Sequence, residues 1–485
     1  MTWFGKQLLE RKVRVRTLLL TALLLFVAGL GVFMWFRATP IYTVPTALQE
    51  PECSTPAPDR DVLVGLTVSG GGSRAALFAA GALEAMARLR VGPDQHSLLN
   101  QVSYISSVSG GSLASAYYAV RKPTHESPVL TQGGELTEEY RRFFTDFKRD
   151  MSHDFENLVM KHHIFGLRWF NPAWTARSLA EVINEEFMGD IRFNDLARRE
   201  AQGDSPYLMI NTTLYNNGRR FILTTLPREA SRYDVYVDMD RVQGLRKIDE
   251  DVERALRERW ESLLSMTPED LKMDVCPIRV AAAVAASMSF PPVIGPISIR
   301  VQGQDLYWHI GDGGMADNTG IESLLMVFFK KLQAGTARRA VIIVLDSSFP
   351  FSVGGEVLNH QAEGFTFFSY DFSRIPSIME ERATAYRAWF FRMAQRQGLL
   401  SDDLRLVVLR HTDAKWEEDL SDLPASCHGE ERTWSVPRAR EIVRRLAGIP
   451  TRLWLASECD RDLTLVAAQK VVAQNEEKIR KLLEQ

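Results

Sequence analysis

The sequence predicts an α/β protein whose mostly parallel central sheet is covered by helices on both faces. Two observations carry this expectation. From Asp61 onward short β-rich runs alternate with helical patterns, and the first two runs each end in a glycine-rich turn that opens a helix. Residues 62–69 lead into a small-residue helix ending near Leu89, and residues 102–109 into a helix starting at Gly110.

Ahead of this pattern lies an uncharged run of 20 residues, 17–36, reading TLLLTALLLFVAGLGVFMWF. Rising about 1.5 Å per residue, such a helix is roughly 30 Å long, the thickness of bilayer hydrocarbon. A cleaved signal peptide has a shorter apolar region, about 7–15 residues, and ends at small residues. This run ends in Met34-Trp35-Phe36-Arg37, so an uncleaved single-pass transmembrane helix is expected. Lys6, Arg11, Lys12, Arg14 and Arg16 precede it and only Arg37 follows closely. The bias holds residues 1–16 in the cytosol and sends the large domain to the opposite side, which in a bacterium is the periplasmic face. Residues 37–60 carry five prolines and read as an extended tether, with the folded unit spanning 61–485.

Within that unit, residues 207–215 and 219–226 flank Asn216-Asn217-Gly218, a turn signal between paired strands. Residues 340–346 and 404–410 read as further buried strands. Between 135 and 196 the pattern is helical and rich in charge and aromatics, which marks a helical insertion or cap. Its segment 165–174, FGLRWFNPAW, suits contact with a membrane or acyl chains as well as a place in the core. Residues 460–485 read as a closing surface helix.

Composition narrows the function classes. The chain is 45% hydrophobic and 25% charged, as globular proteins are. Lys and Arg number 58 against 61 Asp and Glu, so no global field gathers nucleic acid. Cys53, Cys276, Cys427 and Cys459 lack zinc-site spacing, and no structural metal is expected. Their even number permits disulfides in an oxidising compartment, Cys427 and Cys459 being nearest in sequence; isolated buried thiols fit equally.

Three sites carry candidate chemistry. Ser69-Gly70-Gly71-Gly72-Ser73-Arg74 lies between a strand and a helix. Consecutive glycines let several N–H groups converge at a helix N-terminus, which describes an oxyanion hole or a phosphate cradle. Neither nucleotide-binding glycine pattern is present. Ser107-Val108-Ser109-Gly110-Gly111 also lies between strand and helix, and a serine in so tight a turn exposes its hydroxyl at the sheet edge. Ser109 is therefore the candidate nucleophile, with Gly110 opening the helix behind it. A serine hydroxyl needs a base. Gly311-Asp312-Gly313-Gly314, after the strand-like run 306–310, offers a carboxylate on a loop able to approach another closely, so Asp312 is the candidate base.

A glycine-rich loop, then a nucleophile turn about one βαβ unit later, then Asp-Gly-Gly far downstream: this set resembles the patatin-like phospholipase family over about residues 62–348. Gly70 to Arg74, Ser107 to Gly111 and Asp312 to Gly314 look like its three motifs. Ala286-Ser287-Met288-Ser289-Phe290-Pro291-Pro292, together with Asn211-Thr212-Thr213 through Gly218-Arg219, add to the similarity. Ala75 and Ser107 stand where the family often has glycine, and both are small. The resemblance implies a three-layer α/β/α fold and hydrolysis of a lipid acyl ester at a bilayer through an acyl-enzyme, without cofactor or metal. Ser109 would attack, Asp312 would act as base, and the loop Gly70-Gly71-Gly72, chiefly the N–H groups of Gly71 and Gly72, would hold the oxyanion. Arg74 would either support that loop or attract a lipid phosphate. Two alternatives stand beside this: a Ser-His-Asp esterase drawing on His309 or His411, and a membrane-tethered scaffold without turnover.

Overall fold

The computed structural model describes residues 3–37, 41–47, 51–166, 168, 174–231, 264–291, 294–348, 374–396, 403–429 and 438–484. Nine strands among them form one sheet. These are β1 (Ile41–Val44), β2 (Val62–Val68), β3 (Val102–Val108), β4 (Tyr207–Leu214), β5 (Arg220–Thr224), β6 (Ile297–Val301), β7 (Tyr307–Asp312), β8 (Arg339–Asp346) and β9 (Leu404–Arg410). The order is β1-β6-β7-β4-β3-β2-β8-β9, with β5 paired to β4. Pairs among β4, β3, β2, β8 and β9 are parallel, as the alternating pattern predicts. Those of β7 with β4 and β6, and of β5 with β4, are antiparallel, so the sheet is mixed.

Helices cover both faces. Along β2, β3 and β8 alternate residues take opposite sides, as the period of a strand requires. Leu63, Tyr104, Ile342 and Val344 pack under α9 (Ile321–Gln333), where Leu324 and Phe328 fill the space over Gly65; a Cβ there would lie 2.6 Å from Leu324. Val64, Leu66, Val68, Ile105 and Ile343 face the other layer, built from α2 (Gly72–Arg88), α3 (Gly110–Arg121) and α12 (Glu458–Gln474). The C-terminal stretch expected at the surface is a core layer instead. Cys459, Leu463, Ala467 and Val471, each four residues apart, turn one stripe of α12 onto α2, close enough that a Cβ on Gly81 would touch Ala468 at 3.0 Å.

The described part of the insertion is helical: α4 (Glu138–Met151), α5 (Phe155–Phe165), α6 (Thr175–Val182) and α7 (Phe193–Gln202). Its aromatics on α4 are core, Phe147 stacking on Tyr117 of α3 with centroids 4.8 Å apart. Of the aromatic segment, Trp169 and Phe170 lie outside the described residues, as does Pro292.

Two differences concern the segment read as a tether. Ile41-Tyr42-Thr43-Val44, β-branched and aromatic between two prolines, pairs in parallel with β6 as the outer strand of the sheet. Cys53 is bonded to Cys276, just ahead of α8 (Val280–Ser287), and Cys427 is bonded to Cys459. The folded unit thus reaches back to Ile41. The N-terminal helix α1 (Trp3–Arg37) contains a window, Arg16–Phe33, long and apolar enough to cross a membrane, with its side chains exposed.

Candidate active site

The position of Ser109 follows from the sheet. β3 pairs with β4 up to Val108 opposite Asn211, and the next residue of β4, Thr212, lies opposite Asp312 of β7. Thr212 and Thr213 also pair with Phe221 and Arg220 of β5. A strand has two flanks, so β7 must occupy the flank that β3 leaves free beyond its end. β3 and β7 therefore meet C-terminus to C-terminus along β4, and Ser109 and Asp312, 203 residues apart in sequence, face each other across the gap.

Small residues make the meeting possible. A Cβ on Gly313 would lie 2.4 Å from the Asn211 carbonyl oxygen, and one on Gly110 would lie 2.0 Å from the carbonyl oxygen of Gly72. The two helix N-termini, of α2 and α3, are thereby in backbone contact beside Ser109, and both project their positive ends toward it. Gly71 and Gly72 have φ 148° and 60°, and Gly70 donates its N–H to the carbonyl of Asn318 at 2.9 Å.

Ser109 itself is strained, with φ 52° and ψ −127°. Such backbone costs of order 1–3 kcal/mol and persists only where neighbours over-determine it. Here Ser287, buried at the end of α8, accepts the Ser109 N–H at 2.9 Å, contacts the Ser112 hydroxyl at 3.0 Å and donates to the Asn211 carbonyl at 2.6 Å. Asn211 in turn donates to the Ser107 carbonyl at 2.9 Å. The sequence places Ser287 and Asn211 in recognisable motifs, yet nothing in an alanine-rich helix or a threonine-rich strand announces that they brace the turn.

The Ser109 hydroxyl donates to Asp312 Oδ2 at 2.8 Å, and the Gly314 N–H donates to Oδ1 at 2.7 Å. Asp312 is 2% exposed. Burial pushes its carboxyl up to about 7, against the opposing pull of the Gly314 and Ser109 hydrogen bonds.

Arg74 is fully buried and faces the protein. It donates to the carbonyls of Ser347, at 3.0 Å, and of Ile449, and to the Thr451 hydroxyl at 3.1 Å. Burial pulls its guanidinium down to about 10, offset in part by Asp346 and Glu380, so it stays charged at neutral pH. These contacts clamp the glycine loop onto β8 and, just after α11 (Arg438–Gly448), onto the 449–452 segment, whose Arg452 carbonyl accepts the Ser73 N–H at 2.7 Å. Neither histidine joins Ser109. His309 Nδ1 lies 2.9 Å from the Ser298 hydroxyl, and buried His411 sits against the Asp346 carbonyl, with burial and then Arg74 pulling it down to about 4.

One further arrangement was invisible in the sequence. Asn318 fills the space between Gly70 and Gly314 with its side-chain oxygen and donates its amide to Glu380 at 2.6 Å. Glu380 belongs to α10 (Arg374–Arg396), which Arg387 also fixes to Asp317 and Glu322. Glu380→Ala is expected to lower turnover about tenfold, the effect of one lost buried hydrogen bond. Glu380→Gln, whose amide oxygen still accepts, should retain most of it. Steady-state kinetics on a soluble ester separates the two; equal loss in both variants would refute the hydrogen-bond account.

A family model described as patatin-like phospholipase matches residues 66–325, more than half of the chain. Among solved structures, human GIVD cytosolic phospholipase A2 is similar at 12% identity and a TM-score of 0.42, over 87% of this chain and 60% of that one. The same human protein in complex with methyl gamma-linolenyl fluorophosphonate and terbium chloride is similar at 14% identity and a TM-score of 0.42, over 87% of this chain and 59% of that one. The chain thus spans about three-fifths of the length of these structures. No curated protein matches its sequence. With the model spanning all three motifs in order, from the glycine loop through Ser109 to Asp312, the chain belongs to the patatin-like phospholipase family.

Proposed function

We propose that the chain is a membrane-anchored serine hydrolase that cleaves lipid acyl esters with Ser109 as nucleophile and Asp312 as general base. The observation that carries this reading is the 2.8 Å hydrogen bond from Ser109 Oγ to a buried carboxylate beside two helix N-termini. In the first step Oγ attacks the ester carbonyl and its proton passes to Asp312 Oδ2. The N–H groups of Gly71 and Gly72 hold the oxyanion, one such donor being typically worth about 3 kcal/mol. Collapse expels the alcohol, which takes the proton from Asp312, and leaves the acyl group on Ser109. Water then attacks the acyl-enzyme, giving its proton to Asp312. The second collapse releases the fatty acid and returns the proton to Oγ.

A carboxylate held near 7 is well matched to this work, since a base is most effective when its pKa lies near the working pH. Asp312 must be ionised to accept the proton, so kcat/KM is expected to rise with pH through about 7 and level above it. In the same reading residues 17–36 cross the membrane, residues 1–16 stay in the cytosol, and the folded unit works on the opposite face. The two disulfides, Cys53–Cys276 and Cys427–Cys459, agree with an oxidising compartment.

The test is labelling by a fluorophosphonate probe. Wild type, His309→Ala and His411→Gln should label, and Ser109→Ala should not. Labelling that survives in folded Ser109→Ala, or that disappears with His309, would defeat the assignment.

A further inference from the structure

The connection between membrane helix and catalytic unit is short. β1 begins at Ile41, and α1 ends at Arg37, so only three residues join them. Four Cα steps reach at most about 14 Å however they run. Ile41 is in register with Ser298, and Ser298 with His309, three residues before Asp312. Two strand spacings across and three residues along place Ile41 about 14 Å from Asp312. The dyad therefore lies within roughly 30 Å of the end of the apolar span.

Exposed apolar side chains flank the same strand. On one side the β6–β7 hairpin carries Leu306 and Tyr307, Leu306 being 58% exposed, with the Gln302 N–H donating to Val44 at its base. On the other, Arg177 of α6 lies over the Tyr42 ring at 5.8 Å and over Trp174 at 5.2 Å. Arg168 covers Trp174 from 5.1 Å, and just before it α5 ends in Ile164 and Phe165, the latter 84% exposed. The opposite end of α5 touches the site: Glu156 pairs with Arg452 at 2.6 Å, and the Arg452 carbonyl abuts Gly72. Nine residues of helix, about 14 Å, separate that contact from Phe165.

Resting on the hydrolase reading and its anchor, we propose that the exposed side chains of Ile164, Phe165, Leu306 and Tyr307 dock on the bilayer that α1 spans. The ester then enters from that bilayer and not from a second membrane. The occupant is identified by position: β1 hangs on a three-residue connection from a membrane helix, and exposed Ile164, Phe165 and Leu306, with Tyr307 under the Arg300 guanidinium, lie to either side of it. The aqueous phase and other membranes are left to molecules that diffuse in.

The experiment reconstitutes the full chain into vesicles of phosphatidylethanolamine and phosphatidylglycerol with deuterated acyl chains. Protein-free vesicles of the same headgroups with ordinary chains are added, and released acids are weighed by mass spectrometry. Deuterated acid should exceed ordinary acid on the order of 100-fold, the advantage of a tethered encounter. A flexible Gly-Ser insert of about 20 residues after Ala38, with a reach of roughly 25 Å, should cut that ratio at least tenfold. Ile164→Ser with Phe165→Ser and Leu306→Ser should lower host-lipid hydrolysis about tenfold while p-nitrophenyl butyrate turnover is unchanged. Equal release of both acids by wild type, or unaltered host-lipid hydrolysis in the serine variant, overturns the docking proposal. So does absence of both acids with butyrate turnover intact, which leaves the hydrolase reading standing. Loss of butyrate turnover as well would overturn that reading itself.

Discussion

Asp312→Asn is expected to lower kcat/KM for ester hydrolysis by about 10³–10⁴-fold and, at the same time, to make the protein more stable at neutral pH. The activity loss follows because an amide cannot take the Ser109 proton, although its oxygen still accepts from Gly314 and its nitrogen can donate to Ser109. The stability gain follows from burial. The carboxyl moves from 3.8 to about 7 on folding, so at about 1.4 kcal/mol per tenfold its ionised form costs up to about 4 kcal/mol in the native state. The sign is set by proton uptake: between pH 3.8 and about 7 the native state binds the proton that the unfolded state has released. Wild-type stability attributable to this group is therefore present in full below 3.8 and lost as pH rises through about 7. The asparagine variant should match wild type at pH 4 and exceed it at pH 8, read as urea midpoints of the full chain in detergent. A variant less stable than wild type at pH 8 would mean that the carboxylate is better solvated than its surroundings imply.

Gly110→Ala should be nearly as damaging, for a steric reason. The added methyl carbon would stand 2.0 Å from the Gly72 carbonyl oxygen, 2.5 Å from its carbon and 2.7 Å from its Cα. All three are backbone atoms, so no side chain can rotate away, and Gly72 is itself pressed against Arg452. Overpacking of this sort costs about 1–3 kcal/mol when the backbone yields. Here yielding displaces the N–H groups assigned to the oxyanion, and a donor misplaced by about 1 Å costs on the order of 100-fold in rate. The expected outcome is a folded protein with a lowered unfolding midpoint, intact circular dichroism and a hundredfold or greater loss of probe labelling. Wild-type labelling in the alanine variant would show that the two helix ends are not in the contact described.

The glycine loop, the Ser109 turn and the Asp312 loop were legible because each needs small residues at a strand end, a requirement written directly into local sequence. That Ser109 and Asp312 meet was legible only as an order of motifs. The periodicity of residues 306–310 marks a strand but not its direction, and it is the antiparallel run of β7 that brings Asp312 against the end of β3. Strand direction also explains why three of the described pairs in a mostly parallel sheet run antiparallel. β1 was hidden by its flanking prolines, and the Cys53–Cys276 bond by a separation of 223 residues. The burial of α12 escaped because its buried face mixes small and polar residues, Cys459, Thr464, Ala467 and Ala468, with only Leu463, Val471 and Val472 as larger apolar side chains. His309 and His411 stand at strand ends, but the first is turned to the Ser298 hydroxyl and the second to the Asp346 carbonyl, away from Ser109.

β4 is a ruler against which Ser109 and Asp312 are both set. Because β3 and β7 share one flank of it, a single residue gained or lost within Asn211-Thr212 would shift the two groups by one pleat, about 3.3 Å, and turn one of them to the opposite face. Chain inserted between β3 and β4, or between β5 and β6, leaves that spacing untouched. The cap between β3 and β4 can thus change in length while the eight residues of one strand keep the two side chains in place.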